Sequence, residues 1–466
     1  MKRITIYKSA LVPVLLLGLQ SCFVAREYER PEVVNEELYR TDQLPADSTT
    51  IAALSWEELF NDEALASHIR EGLENNMDIR IALQHIVTAE AYYAQGKTGN
   101  LPVIGVTAQM THQEMAKNSQ FGAIFSGALN QYDLTGNLSW EADIWGKIRS
   151  NRRATEASYL QSVAAHQAVK TELIANISTL YYQLLAFDEQ KRIALKTIAN
   201  RESSLETTRA LKDAGTVTEV AVKQTEAQLY TAQALLVELD NNIKLLENTF
   251  SILLGKPPGP IERSSLAQLE LNPEMETGYP VQLLRNRPDV IAAEFGLINA
   301  FELSNVARTG FYPSLTISAT GGLQSLQLDQ LFSVNSLFAT VIGGLTQPIL
   351  NGRRVRTQYE VSLSQQEIAY LNFRKAILTA SKEVSDALYD YHSAEETIEI
   401  KTKEFQAYDT ASRYSQELLN NGFANYLEVL TARENALNSQ LGLINAEFNR
   451  LNSVVELYRA LGGGWK

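Results

Sequence analysis

The sequence predicts a mainly α-helical protein that also carries four membrane-type β-strands and is built twice from one repeated unit. Three observations carry this. Two long stretches, residues 103–256 and 349–466, contain no proline, and each holds runs of helix-forming residues longer than a compact domain can use. Segments with alternating apolar and polar residues mark strands with one oily face and one wet face. Landmark residues recur at nearly constant separation, which indicates duplication.

The chain opens with Lys2, Arg3 and Lys8 ahead of an apolar run from Ala10 to Leu19, closed by Leu19-Gln20-Ser21-Cys22. About ten apolar residues cannot span a bilayer that needs roughly twenty, so residues 1–21 read as a secretory signal peptide. Cys22 is the single cysteine, which excludes an internal disulfide and a zinc–thiolate site. The run LQSC resembles the bacterial lipoprotein signal, in which the peptide is cut before the cysteine and that residue takes a covalent lipid. Residues 22–60 then form a lipid-anchored N-terminal segment.

Residues 1–21 hold three of the 41 basic residues and none of the 54 acidic ones, so the mature chain has a net charge of -16. Nucleic acid is excluded as a natural partner on that balance. The histidines (His68, His85, His112, His166, His392) are scattered, with no pair at metal-ligand spacing. No phosphate loop, nucleophile elbow or zincin motif occurs, so nothing argues for an enzyme, a metal or another cofactor.

The repeat is read from ordered landmarks. Gly146 and Gly352, Gly215 and Gly422, and Gly255 and Gly462 are separated by 206, 207 and 207 residues. Upstream, Asp78 matches Asp289 and Pro102 matches Pro313, both at 211. The first unit spans residues 61–255, a linker spans 256–280, and the second unit spans 281–466. Each reads helix, strand, loop, strand, long helix, turn, long helix. The strands fall at about 102–114, 131–145, 313–325 and 336–348, and the long helices at about 147–214, 216–254, 352–420 and 424–461. The second strand alternates most cleanly, from Tyr132 to Ile144. The fourth is weaker, because Phe338 and Ile342 sit on its polar side.

The helices keep a three-and-four rhythm. One seam runs Val222, Thr225, Leu229, Ala232, Leu236, Leu239, Ile243, Leu246, Phe250, Leu253; its counterpart runs Leu427, Leu430, Glu434, Leu437, Leu441, Ile444, Phe448, Leu451, Val455, Tyr458. Leu173, Ile177, Leu180, Leu184 and Phe187 do the same in the preceding helix. Packing against antiparallel neighbours accounts for them.

Lengths decide the architecture. At 1.5 Å per residue, a helix over 147–214 reaches roughly 100 Å. The strands have the length and alternation of a membrane barrel, but four cannot close one, and open edges are not tolerated in lipid. Two copies give a barrel filled by side chains, whereas three give twelve strands and a passage. A homotrimer follows, with the helical hairpins continuing the wall as a tube.

The residues then resemble a known family. The order of Cys22, Tyr28-Glu29-Arg30-Pro31, LSWEADIWGKIR, Asn286-Arg287-Pro288-Asp289-Val290 with Ala292-Ala293-Glu294, FYPSLTIS from Phe311, GFANYLEVLTAR from Gly422 and the closing LYRALGGGWK is similar to the TolC-like outer-membrane efflux proteins, in their lipid-anchored OprM/NodT branch. The resemblance implies a trimeric duct in a Gram-negative outer membrane, a twelve-strand barrel continued by a helical tunnel. It implies docking on a periplasmic adaptor and an inner-membrane pump of the RND type, and a gate at the periplasmic helix tips. Arg209, Asp213, Gly215, Glu219, Arg413, Glu417 and Gly422 sit at the two tips and are candidates for gating or adaptor docking. The charges are open to two readings: ion pairs and carboxylate rings that govern opening and cation preference, or ordinary solvated helix charges. Gln416 stands at one place where the family's acidic constriction would fall. The rival from another class is a lipid-anchored periplasmic coiled-coil scaffold, which leaves the strands unexplained.

Overall fold

The computed structural model describes residues 24–32, 51–120, 122, 128–269 and 282–465. The signal sequence, Cys22 and part of the linker lie outside them. The principal elements are α1 (Glu63–Asn75), α2 (Met77–Lys97), β1 (Val103–Glu114), β2 (Ala128–Ala142), α3 (Lys147–Asp213), α4 (Glu219–Leu253), α5 (Pro288–Thr309), β3 (Ser314–Ser325), β4 (Leu337–Thr346), α6 (Arg354–Asn420) and α7 (Tyr426–Ala460). Duplication shows in their lengths: α3 and α6 have 67 residues each, and α4 and α7 have 35 each.

The chain divides into two compact units, one of Met1–Pro31, Val87–Gln161 and Glu294–Asn372, the other of Glu32–Ile86, Ser162–Ala293 and Phe373–Lys466. Each unit draws segments from both sequence repeats. A repeat is therefore a pattern along the chain and not a compact body.

The first unit holds a four-stranded antiparallel sheet in the order β1-β2-β3-β4. Its register puts Ile104, Leu138, Ala319 and Val341 in one cross-strand row, and Ala108, Leu134, Leu323 and Leu337 in another. This face is apolar and largely uncovered: Ile104, Val106, Met110, Val341 and Leu345 are all exposed. The opposite face is polar and bonded across strands. Asn137 Nδ2 donates to Thr107 Oγ1 at 3.3 Å, Thr320 Oγ1 donates to Asn137 Oδ1 at 3.0 Å, and Gln324 Nε2 donates to Asp133 Oδ1 at 2.8 Å. The weak fourth strand forms despite Phe338 and Ile342, since its pairing with β3 runs from Thr346 back to Leu337. Among the described residues β1 and β4 pair on one side only, leaving two free edges.

The expected strand to Ile144 ends instead at Ala142. Asp143 is taken for capping: its carboxylate accepts from the N–H of Ile148 at 2.9 Å and of Arg149 at 3.0 Å, satisfying donors at the start of α3. By length and composition α5 is the one described helix able to cross a membrane. It nevertheless buries Glu294 and Glu302, each paired to an arginine (Arg30 and Arg153), which marks it as packed within protein.

In the second unit the helical seams are largely inward. Val222, Leu229, Ala232, Leu239, Ile243 and Phe250 are buried on α4, and Leu430, Leu437, Ile444, Leu451, Val455 and Tyr458 on α7. Full burial of each large apolar side chain is worth roughly 1.5–3 kcal/mol. Leu427 departs from the expected seam: it lies in the first turn of α7 and is 57% exposed, while Val429 is buried.

All four long hairpin helices end alike. Gly215, Gly255, Gly422 and Gly462 have φ of 76°, 70°, 77° and 86°. Each opens the same pair of bonds that satisfies the last carbonyls, for example Gly255 N–H to Ile252 O (3.0 Å) with Lys256 N–H to Ser251 O (2.9 Å). At the two inner ends space is also limiting. A Cβ on Gly255 would stand 2.5 Å from the carbonyl oxygen of Asn75, and one on Gly462 2.4 Å from that of Asn286. Each site is closed by the next residue: Asn76 Nδ2 donates to Leu253 O at 2.9 Å, and Arg287 Nη1 to Ala460 O at 3.0 Å. Gly255→Ala and Gly462→Ala are each expected to destabilise by on the order of 1–3 kcal/mol, read as a lower temperature of helix loss by circular dichroism. Gly105→Ala, at a position where a Cβ meets nothing within 4 Å, serves as the silent control.

Candidate functional site

The two hairpin tips share one backbone design. Gly215 N–H donates to Lys212 O at 2.8 Å and Thr216 N–H to Leu211 O at 2.9 Å; Gly422 N–H donates to Leu419 O at 3.0 Å and Phe423 N–H to Leu418 O at 2.8 Å. A Cβ at Gly215 or Gly422 would meet nothing within 4 Å, so the left-handed φ alone requires glycine there. The following helices start differently. Asn425 caps α7 by accepting from Glu428 N–H at 3.0 Å, whereas Thr218 makes no side-chain cap on α4.

The charges nominated from the sequence separate into two groups. In the first hairpin Arg209 Nη2 lies 3.5 Å from Glu226 Oε1, and Lys212 Nζ lies 2.8 Å from Glu219 Oε2. Hydrogen bonding to Lys212 pulls the Glu219 carboxyl below its usual pKa, and Lys223 does the same to Glu226. Asp213 ends α3 in the exposed turn. In the second hairpin Arg413 lies over the ring of Tyr414 at 5.5 Å, and the Glu417 carbonyl accepts from Asn421 Nδ2 at 2.8 Å. Neither Arg413 nor Glu417 enters an ion pair among the described residues.

About two to three turns further in, around Arg201 and Arg433, the structure assembles a polar interlock outside the residues nominated from the sequence. Arg201 on α3 is 5% exposed; it donates through Nη1 to the Gln228 carbonyl on α4 and through Nη2 to Glu434 Oε2 on α7 at 2.6 Å. Arg433 on α7 donates to Ser204 Oγ on α3 and to Gln416 Oε1 on α6, both at 2.6 Å. Burial pushes the Arg433 pKa below its ordinary value, and the charge of Arg201 acts in the same direction. The Tyr426 hydroxyl lies 2.7 Å from Thr225 Oγ1 on α4 and accepts from Thr208 Oγ1 on α3 at 3.1 Å. Three side chains thus join α7 to the other three helices beside the apolar cluster of Leu205, Val222 and Leu229. A signal was present: Thr225 and Glu434 are the polar members of otherwise apolar seams, the kind of interruption that specifies a partner or register.

Val220, Phe423 and Leu427 are left exposed around the turns, with Tyr414 and Leu418 nearby. Chemically, the tips offer a rigid polar joint inside and a mixed apolar and charged outer surface.

The family model described as outer membrane efflux protein matches residues 68–256 and 279–463. The solvent efflux pump outer membrane protein SrpC of Pseudomonas putida is 28% identical over 457 residues, covering 97% of this chain and 97% of its own length. The probable outer membrane lipoprotein SilC of Salmonella typhimurium is 26% identical over 468 residues, covering 97% and 98%. The solved structure of the outer-membrane channel OprN superposes with a TM-score of 0.88 at 24% identity, covering 95% of this chain and 100% of that one.

The interlock makes a measurable demand on stability. Arg201→Met is expected to cost about 2 kcal/mol and Tyr426→Phe about 1 kcal/mol, read from the temperature of helix loss. A double-mutant cycle of Arg201→Met with Glu434→Gln should return a coupling of roughly 1–2 kcal/mol, and additivity within about 0.3 kcal/mol would mean the pair contributes nothing.

Proposed function

The chain belongs to the outer membrane efflux protein family, and from that membership we propose how it serves as the exit channel of an efflux system. Three copies close one twelve-strand barrel in the outer membrane, and their helical hairpins form the duct that meets a periplasmic adaptor and an RND-type inner-membrane pump. The pump supplies the energy; this chain supplies the passage.

The observation that carries the trimer is the pair of free edges on β1 and β4. In hydrocarbon every unpaired backbone group costs several kcal/mol, so each edge must find a strand. The internal repeat supplies the register. Val103 pairs with Ser139 and Ser314 with Thr346, so the repeat carries β1 to β3 by 211 residues and β2 to β4 by 207. Applied to the β2–β3 pairing within one chain, the same shifts set β4 of one copy against β1 of the next. Leu345 then faces Ala108, Gly343 faces Met110 and Val341 faces His112. The parity is right: the apolar rows of the two copies fall on one face.

Cys22 carries the lipid in this reading, a role supported by the lipoprotein name of SilC. At the tips, the interlock of Arg201, Arg433 and Tyr426 holds the two hairpins of a protomer together, and opening requires its release. Arg209, Glu219, Gly215 and Gly422 keep each tip in shape. Asp213, Arg413 and Glu417, with exposed Phe423 and Val220, form the docking surface for the adaptor. A pore-free coiled-coil scaffold has no use for a sheet with an uncovered apolar face.

Cysteines placed at Ala108 and Leu345 in a Cys22-lipidated chain are expected to yield oxidised dimers and trimers, with cysteines at Ala108 and Ile342 as the off-register control. Monomers alone would sink the trimer reading. In planar bilayers Tyr426→Phe combined with Arg433→Ala is expected to raise conductance several-fold; unchanged conductance would remove the interlock from the gate.

A further inference from the structure

Two motifs from the sequence find no task in the channel reading: Tyr28-Glu29-Arg30-Pro31 and the Glu294 that follows Ala292-Ala293. The structure joins them. Arg26 uses its backbone at both ends, its N–H donating to Asn305 Oδ1 and its carbonyl accepting from Asn305 Nδ2, each at 3.0 Å. The Tyr28 ring meets Phe301 edge-on at 5.7 Å between centroids. Arg30 then grips Glu294 with two parallel bonds, Nε to Oε1 at 2.5 Å and Nη2 to Oε2 at 2.6 Å.

The spacing is that of an extended segment laid along a helix. Residues 26, 28 and 30 alternate on one side of the segment, and residues 305, 301 and 294 lie on one face of α5, read in the reverse direction. Four extended residues cover roughly 14 Å and eleven helical residues roughly 16 Å, so the lengths match. The helix side is built for this occupant. Glu294 is 7% exposed and Asn305 is 3% exposed, so lifting the segment would bare a buried carboxylate and a buried amide. Arg30 is the ion-pair partner of Glu294 among the described residues.

Upstream, Val24 and Ala25 are buried, and a Cβ on Gly146 would stand 3.3 Å from Ala25 Cβ. Gly146 is the junction between β2 and α3. The same end of the sheet carries Trp145, which donates to the Pro313 carbonyl at 2.7 Å and lies 5.0 Å from Tyr312, and Trp140, which donates to the Asn100 carbonyl at 2.8 Å. Aromatic residues at strand ends mark the level of the membrane interface. Cys22 is two residues before Val24, and two residues reach at most about 7 Å.

We infer that residues 24–31 are a fixed-length strap, locked to α5 by Arg30–Glu294 and Asn305, that sets the level at which the lipid on Cys22 enters the membrane relative to the barrel. The inference rests on the lipidation reading. Its consequence is that lipid and barrel act as one anchor, and that tether length matters as much as the lipid.

The full-length protein, purified from outer membranes and reconstituted in phosphatidylethanolamine and phosphatidylglycerol vesicles, allows two measurements. Arg30 precedes Pro31, so Arg26 is the trypsin site of the strap. Cleavage after Arg26 is expected to be at least ten-fold faster in Glu294→Gln and Asn305→Ala than in the parent chain; equal rates overturn the lock. Inserting Gly-Ser-Gly-Ser between Phe23 and Val24 keeps both lock and lipid but lengthens the tether. It is expected to lower the temperature at which the trimer dissociates in those vesicles to that of a Cys22→Ala chain exported by a cleavable signal. A parent-like temperature overturns the strap. Mass spectrometry of the N-terminal peptide separates the two readings: an unmodified Cys22 overturns lipidation and the strap together, whereas a lipidated Cys22 with a tolerated insertion overturns the strap alone.

Discussion

A strand edge in hydrocarbon has nothing to bond to, and that single fact organises the membrane part of this protein. Among the described residues the sheet satisfies its interior through three antiparallel pairings and leaves the outer sides of β1 and β4 open. Its apolar face needs lipid, and its polar face, bonded through Asn137, Thr320 and Asp133, needs water. No arrangement of one chain meets all three demands. In the proposed trimer the same pairing that joins β2 to β3 is repeated between copies, so closing the barrel requires no new kind of contact. In that trimer the internal duplication serves as a physical device: a chain that says the strand pair twice already contains the pairing proposed between copies.

Glycine carries the second constraint, and for two separable reasons. Every hairpin helix stops at a residue with a left-handed φ, which leaves the final carbonyls satisfied without further partners. At Gly215 and Gly422 the conformation alone demands glycine, since open space surrounds the missing side chain. At Gly255 and Gly462 the backbone of Asn75 or Asn286 comes close enough that conformation and volume coincide. The tips are therefore free to face a partner, while the inner ends are locked into packed protein. The proposed docking and gating roles fall on the side where the structure left room.

Polar groups placed among apolar ones do the specifying. Thr225 and Glu434 interrupt hydrophobic seams and are answered by Tyr426 and Arg201; Glu294 and Asn305 interrupt an apolar helix and are answered by the segment of residues 26–30. A buried polar group without its partner costs more than the pair gains, so such sites enforce one arrangement over near alternatives. Apolar packing alone would hold these helices together in several registers.

By itself the sequence determined the class of the protein. Alternation fixed which segments become strands, uninterrupted helix formers fixed the long helices, and recurring glycines placed their ends, because each of these signals acts over a few neighbouring residues. The single cysteine behind an apolar leader and the acidic balance were equally local. Only the tertiary structure decided which side chains meet. Arg201 and Glu434 lie 233 positions apart and Arg30 and Glu294 lie 264 apart, and no pattern along the chain connects them. It also decided that Asp143 would cap α3 and end β2, and that Leu427 would stay outside the seam where its periodicity placed it. Periodicity reports which face of an element is oily; what covers that face, and which polar group answers another across it, is settled only when the elements pack.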